Sequence, residues 1–133
     1  MNLLCVMVID DSEPDQFICK MMIEGYDPDI KILQAYDGQE ALEILDATEH
    51  SPDVIFLDIN MPRMDGHEFL AMYDKRDEAK STVVVMLTSS SQEEDRDRSL
   101  AHQCVKSYLI KPLDAKNLEE LSESGVISNI SPV

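Results

Sequence analysis

The chain has 133 residues, 44% hydrophobic and 29% charged, enough for one domain with a sizeable core and too few for two ordinary ones. Its formal net charge of −16 argues against direct binding to nucleic acid or to anionic membranes, and favours cations and basic protein surfaces. No apolar run is long enough to span a bilayer, Met1–Ile9 lacks the basic start and length of a signal peptide, and three widely spaced cysteines read as buried, reduced thiols; a cytoplasmic protein is expected.

In chain order, Leu3 to Ile9 is a continuous apolar run, the pattern of a strand buried on both faces, and it ends in Asp10-Asp11. Ser12 caps the next helix, Pro14 is tolerated in its first turn, and Phe17, Ile18, Met21 and Met22 predict its inward face. Ile30 to Tyr36 reads as a second strand at a sheet edge. Asp37 with Glu40 resembles a capping box before the stripe Ala41, Leu42, Ile44 and Leu45. Val54 to Leu57 is the third strand and runs straight into Asp58. Asp65 with Glu68 caps a helix whose inward face is Phe69, Leu70, Met72 and Tyr73. Thr82 to Leu87 is a β-branched fourth strand ending in Thr88-Ser89-Ser90.

Ser91 with Glu94 then opens a very polar helix, running to His102, that only Leu100, Ala101 and Cys104 can anchor. Ser107 to Ile110 is a short fifth strand ending in Lys111-Pro112. Asp114 caps a last helix with Leu118 and Leu121 facing in. This alternation predicts an α/β domain of five βα units over residues 1–123, with a parallel sheet, helices on both faces and right-handed crossovers, followed by a serine-rich tail at 124–133. His50, His67 and His102 share no metal-ligand spacing and read as surface residues; the eight methionines read as core filler.

In a parallel sheet the carboxyl ends of all strands share one edge, where ligands bind. Asp10-Asp11, Asp58, Thr88-Ser89 and Lys111 therefore converge there. Two carboxylates about 4 Å apart repel by roughly 4 kcal/mol at an effective dielectric near 20. Such a group calls for a cation, and hard oxygen donors suit Mg²⁺. The chemistry that follows is phosphoryl transfer, with Asp58 as in-line nucleophile, the metal and Lys111 neutralising phosphoryl oxygens, and the Thr88 hydroxyl with a backbone N–H holding another. Each residue has an ordinary reading when taken singly: a helix-end acid, a loop aspartate, a turn lysine, a strand-end hydroxyl. Their convergence is what argues for a site.

The same residues resemble the receiver domain of two-component response regulators, of the chemotaxis response regulator type. The resemblance runs from about Leu3 to Leu121. It rests on Asp10-Asp11, on Leu57-Asp58-Ile59-Asn60-Met61-Pro62 with Met64-Asp65-Gly66, on Leu87-Thr88-Ser89, and on Tyr108-Leu109-Ile110-Lys111-Pro112. It implies a flavodoxin-like sheet of strand order 2-1-3-4-5. It further implies that Asp58 accepts a phosphoryl group from a phosphohistidine on a sensor histidine kinase or histidine phosphotransfer protein. Asp11 and Asp58 would ligate Mg²⁺ directly, Asp10 through water and Asn60 through its backbone carbonyl. Lys111 would contact the acyl phosphate, Thr88 would move toward it, Tyr108 would turn inward, and the Lys111-Pro112 bond would be cis.

By the same resemblance the protein is a signalling domain that catalyses only its own phosphorylation and dephosphorylation. The fourth helix, fifth strand and fifth helix would form its output face, here acidic and suited to a basic protein partner. No output domain follows in the sequence, which suggests a single-domain regulator. One departure stands out: Cys104 occupies a position before strand five where many receivers carry glycine, so a differently shaped turn is expected. Two other functions fit less well. A phosphorylation-independent interaction module would have no need of the intact site. A phosphohydrolase of the haloacid dehalogenase type wants a second acid two residues after a first-strand nucleophile, where this chain has Ser12.

Overall fold

Each of the five apolar runs is a strand in the computed structural model, which describes residues 4–125. The order is β1 (Cys5–Ile9), α1 (Glu13–Tyr26), β2 (Lys31–Ala35), α2 (Gly38–Ala47), β3 (Val54–Leu57), α3 (Gly66–Tyr73), β4 (Val83–Thr88), α4 (Glu93–Leu100), β5 (Val105–Ile110) and α5 (Ala115–Glu123). A short 3-10 helix at Asp77–Lys80, which the sequence pattern does not announce, precedes β4. All strand pairs are parallel, in the order β2-β1-β3-β4-β5. Of the expected elements, Leu3 in the first strand and residues 126–133 of the tail lie outside the described residues.

Alternation along the strands builds two cores. Met7, Ile9, Ile55, Leu57, Val84 and Met86 pack with α2 and α3 residues such as Leu42, Phe69 and Tyr73. Val6, Val8, Val54, Phe56, Val85 and Leu87 pack with Cys19 and Ile23 of α1 and with Leu118 and Leu121 of α5. Because both sheet faces are covered, the central strands are apolar at every position, and their first polar residues fall at the carboxyl edge.

Caps behave largely as their chemistry demands. Ser12 Oγ accepts the Asp15 N–H, and Asp65–Glu68 and Asp114–Asn117 form reciprocal capping boxes. Asp37 accepts the Glu40 N–H, but the Glu40 carboxylate reaches the Tyr36 N–H instead of closing the box.

The structure corrects three helix faces. In α1 the buried residues are Gln16, Cys19 and Ile23, whereas Phe17 is 64% exposed and Met21 is also exposed. The reason is the Gln16 amide, which donates to the carbonyls of Val8, Asp10 and Ala35 and so turns its own side of the helix inward. In α3 Met72 is exposed, while Phe69, Leu70 and Tyr73 are buried as expected. In α4 neither Leu100 nor Ala101 is an anchor: both are exposed, and Ser99 is buried with its hydroxyl donating to the Asp95 carbonyl.

That helix also starts later than its Ser91–Glu94 spacing predicts. Gln92 is the cap residue and makes no side-chain cap; Ser90 Oγ takes the Gln92 N–H instead. β5 is two residues longer than its apolar core, with a register irregularity opposite Val84 and Val85. Cys104 sits buried just before it, and Arg63 and Gly125 are the only described residues with positive φ, so the turn needs no left-handed residue there.

The loop after β3 closes tightly on itself. The Gly66 N–H donates to the Ile59 carbonyl, and a Cβ on Gly66 would lie 2.4 Å from the Asp58 carbonyl oxygen and 2.8 Å from Ile59 Cα. Backbone, unlike a flexible side-chain tip, has little room to yield. Gly66→Ala is expected to lower stability by about 1–3 kcal/mol through this overpacking, read as a lower urea midpoint with an unchanged slope.

Candidate functional site

The carboxyl edge of the sheet brings the acidic residues to one ammonium. Asp10 follows β1 and is buried; Asp58 follows β3 and is buried. Lys111, just past β5, places its Nζ 2.8 Å from Asp10 Oδ2, 2.8 Å from Asp15 Oδ2 and 3.1 Å from Asp58 Oδ2. The ammonium donates hydrogen bonds to Asp15 and Asp58 and forms an ion pair with Asp10. The Lys111–Pro112 peptide is cis, as expected.

Backbone groups hold the acids from the other side. The Ser12 N–H donates to Asp10 Oδ1 at 2.9 Å, and the Ile59 N–H to Asp58 Oδ1 at 2.7 Å. Asp11 is exposed, and one oxygen from each of Asp10, Asp11 and Asp58 lies within 4.8 Å of the others. This all-oxygen donor set, partly open to solvent, fits a hard divalent cation that keeps water ligands. Asn60, the remaining expected ligand, is exposed in the loop after β3.

The electrostatics follow from how one lysine is shared. Burial works against the Lys111 ammonium, but the bonds to Asp10 and Asp15 and the charge of Asp58 outweigh it and hold its pKa well above the usual lysine value. Asp15 is held below the carboxylate range by its bond to Lys111. Burial pushes Asp10 up in spite of Lys111 and the Ser12 N–H, with the Asp58 charge adding to the rise. One ammonium divided among several carboxylates does not fully offset the desolvation of the most buried of them. Burial, with Asp10 nearby, also pushes the Cys19 thiol up to about 12, which makes it a weak nucleophile in the core. Cys104 is buried likewise, while Cys5 is only half-buried; all three thiols are free.

Thr88 and Tyr108 are joined through Ser90. Thr88 is fully buried, and its Oγ1 accepts the Ser90 N–H at 3.2 Å. The Tyr108 hydroxyl donates to the Ser90 carbonyl at 2.8 Å, and the side chain is half-buried. The Lys111 N–H donates to the Thr88 carbonyl at 2.9 Å, which ties the two strand ends together.

Arrangement and sequence now decide the family. A model of the response regulator receiver domain matches residues 6–123. The chain belongs to the response regulator receiver domain family. This receiver is 35% identical over 117 residues to Protein PilG of Pseudomonas aeruginosa, across 86% of this chain and 82% of that protein. It is 33% identical over 113 residues to the sensor histidine kinase CheAY of Helicobacter pylori, across 85% of this chain but only 14% of that much longer protein. Among solved structures, a two component response regulator from Cytophaga hutchinsonii matches with a TM-score of 0.84 at 26% identity, across 97% of this chain and all of that one. No helix among the described residues is long and apolar enough to cross a membrane.

Several residues at this receiver's site were not legible from sequence. Asp15 looks like one more first-turn helix acid, and only the fold shows that it shares Lys111. Gln16 reads as a polar interruption; its sign, in hindsight, is a lone amide three residues before Cys19 on the buried stripe. His67, expected at the surface, is buried with 5% of its side chain exposed, paired with Asp95. His102 is half-buried and lies 3.1 Å from Asp74, and His50 is exposed as expected.

A raised carboxylate pKa means that the charged form of Asp10 works against the fold, a penalty that disappears as pH falls through the folded pKa. Asp10→Asn should therefore raise the urea midpoint of the metal-free protein at pH 7. Addition of Mg²⁺ should narrow that difference, because a cation favours the charged wild type.

Proposed function

We propose that this receiver is a phospho-switch in which Asp58 accepts a phosphoryl group in a Mg²⁺-dependent reaction. The observation that carries the reading is the shared environment of Asp58. Its carboxylate is 3.1 Å from the Lys111 ammonium and belongs to the same oxygen cluster as Asp10 and Asp11. Asp10, Asp11 and Asp58, with the Asn60 carbonyl, would hold the metal, which when bound supplies positive charge against the phosphoryl oxygens.

The chain's own residues supply the rest. The Ile59 N–H at Asp58 Oδ1 and Lys111 at Oδ2 orient the carboxylate for in-line attack. As the bond from Asp58 oxygen to phosphorus forms, the phosphorus–nitrogen bond of a phosphohistidine breaks, and the imidazole leaves with the bonding pair and gains a proton. Lys111 and the Thr88 hydroxyl take up the charge on the transferred group. The donor is a histidine kinase or histidine phosphotransfer protein, a class in keeping with the relative named a sensor histidine kinase.

The output is a population shift carried by Thr88, Ser90 and Tyr108 to the face of α4, β5 and α5. These elements expose more acids than bases: Glu93, Glu94, Asp97, Glu119, Glu120 and Glu123 against Arg96, Arg98, Lys106 and Lys116. Ile110, the last residue of β5, adds an exposed apolar side chain. The downstream partner is therefore a protein with a basic patch.

Intact mass after incubation with Mg²⁺ and acetyl phosphate tests the reaction. Wild type should gain one phosphoryl group, and Asp58→Asn none, with its fold retained; a labelled Asp58→Asn protein would refute the assignment. Mg²⁺ should also raise Tm by mass action, since a ligand at ten times its dissociation constant adds about 1.4 kcal/mol. Asp11→Ala should remove most of that rise. No adduct and no metal effect would favour an interaction module that works without phosphorylation.

A further inference from the structure

Ser90 is the junction of the loop between β4 and α4. Its N–H donates to Thr88 Oγ1, its carbonyl accepts from the Tyr108 hydroxyl, and its own hydroxyl donates to Asp95 Oδ2 at 2.6 Å. Asp95 is thus the attachment of this loop to α4. The second oxygen of Asp95 lies 3.1 Å from Nε2 of His67, on α3. A carboxylate can only accept, and the bonds from Ser90 and then His67 hold Asp95 below the usual carboxylate range, so the shared hydrogen belongs to Nε2.

The other ring nitrogen of His67, Nδ1, is buried and meets no hydrogen-bond partner among the described residues. An unpaired buried polar atom costs free energy, and a leucine would occupy an apolar setting without that cost. Packing alone does not account for a histidine here; its bond to Asp95 does. The rest of α4 offers little other anchorage, since Leu100 and Ala101 are exposed and Ser99 is its one buried residue.

We propose that His67 and Asp95 are positioning residues for the phosphoryl site, a latch running from α3 through α4 to Ser90 that fixes the direction of the Thr88 hydroxyl. The proposal rests on the reading of Asp58 as phosphoryl acceptor. Thr88 Oγ1 takes the Ser90 N–H on a lone pair, which leaves its own hydrogen to be donated elsewhere. A donor already set in place stabilises developing charge without reorganising during the reaction. Release of Ser90 frees that hydroxyl to rotate, and phosphoryl uptake slows.

The test compares wild type with His67→Leu, Asp95→Ala, the double variant and Asp95→Asn, by initial rate of labelling from acetyl phosphate at saturating Mg²⁺. Each of His67→Leu and Asp95→Ala should slow labelling by about three- to thirtyfold. The double variant should be no slower than the slower single one, because both act through one chain of contacts. Asp95→Asn keeps an acceptor for Ser90 and should recover most of the rate. The Mg²⁺ concentration for half-maximal labelling should not move, and the urea midpoint of His67→Leu should match or exceed that of wild type.

A second readout needs no phosphoryl chemistry. In metal-free protein the Ser90 amide should exchange hydrogen faster in both single variants, with β-strand amides unchanged. Unchanged or faster labelling, or effects that multiply in the double variant, would overturn the latch, as would unchanged exchange at Ser90. Failure of wild type to label would instead overturn the reading of Asp58 and the rate effect built on it, and amide exchange would then decide whether the latch exists.

Discussion

The Lys111 ammonium is the interaction on which this molecule depends. It meets Asp10, Asp15 and Asp58 within 2.8–3.1 Å, joining the ends of β1, β3 and β5 and the first turn of α1. Without it, like charges concentrated at one edge of the sheet would push those elements apart. With it, the charge is only partly balanced, since one ammonium faces three carboxylates. Incomplete balance leaves the site short of positive charge, a deficit that a divalent cation would relieve.

The parallel sheet makes this concentration possible. Strands covered on both faces must be apolar along their length, so polar chemistry is displaced to their ends, and parallel direction puts all the carboxyl ends together. Gln16 secures that edge from within. One amide bonded to the carbonyls of Val8, Asp10 and Ala35 holds α1 against the ends of β1 and β2, and Gln34 donates in turn to its Oε1 at 3.1 Å. Across the sheet, Arg63 pairs with Asp37 while Met64 packs close to Gly38, so the loop after β3 is fastened to the start of α2. The loops bearing Asp10 and Asp58 are therefore braced by different helices, and the loop after β4 is braced through Asp95 and His67.

Much of this was readable before any coordinates. Asp10, Asp11, Asp58, Thr88 and Lys111 stand at or just beyond strand ends, where period and position in the chain place them without knowledge of packing, whereas Tyr108 lies inside β5 and was singled out only by the resemblance. Asp15 and His67 were not readable, because each acts through a partner distant in sequence: Lys111 for the first, Asp95 for the second. The α1 face was misjudged for a related reason. Phe17 and Met21 form an apolar stripe as good as that of Cys19 and Ile23, and the choice between the two phases was made by a glutamine amide that needed carbonyls to bond. In α4 there is almost no apolar stripe to read, so its start and its inward residue followed from hydrogen bonds at Ser90, Asp95 and Ser99.

The sequence alone determined the five strands and the five α-helices, the parallel sheet and the residues delivered to its carboxyl edge. Those features follow from local periodicity and from the requirement that buried strands be apolar. Tertiary structure decided which carboxylates share the single lysine, which side of α1 faces the sheet, and how Ser90 is tied to α3 through Asp95 and His67. The reason is physical: a hydrogen bond or ion pair needs residues far apart in the chain to be placed to within a few tenths of an ångström, and no local pattern carries that information.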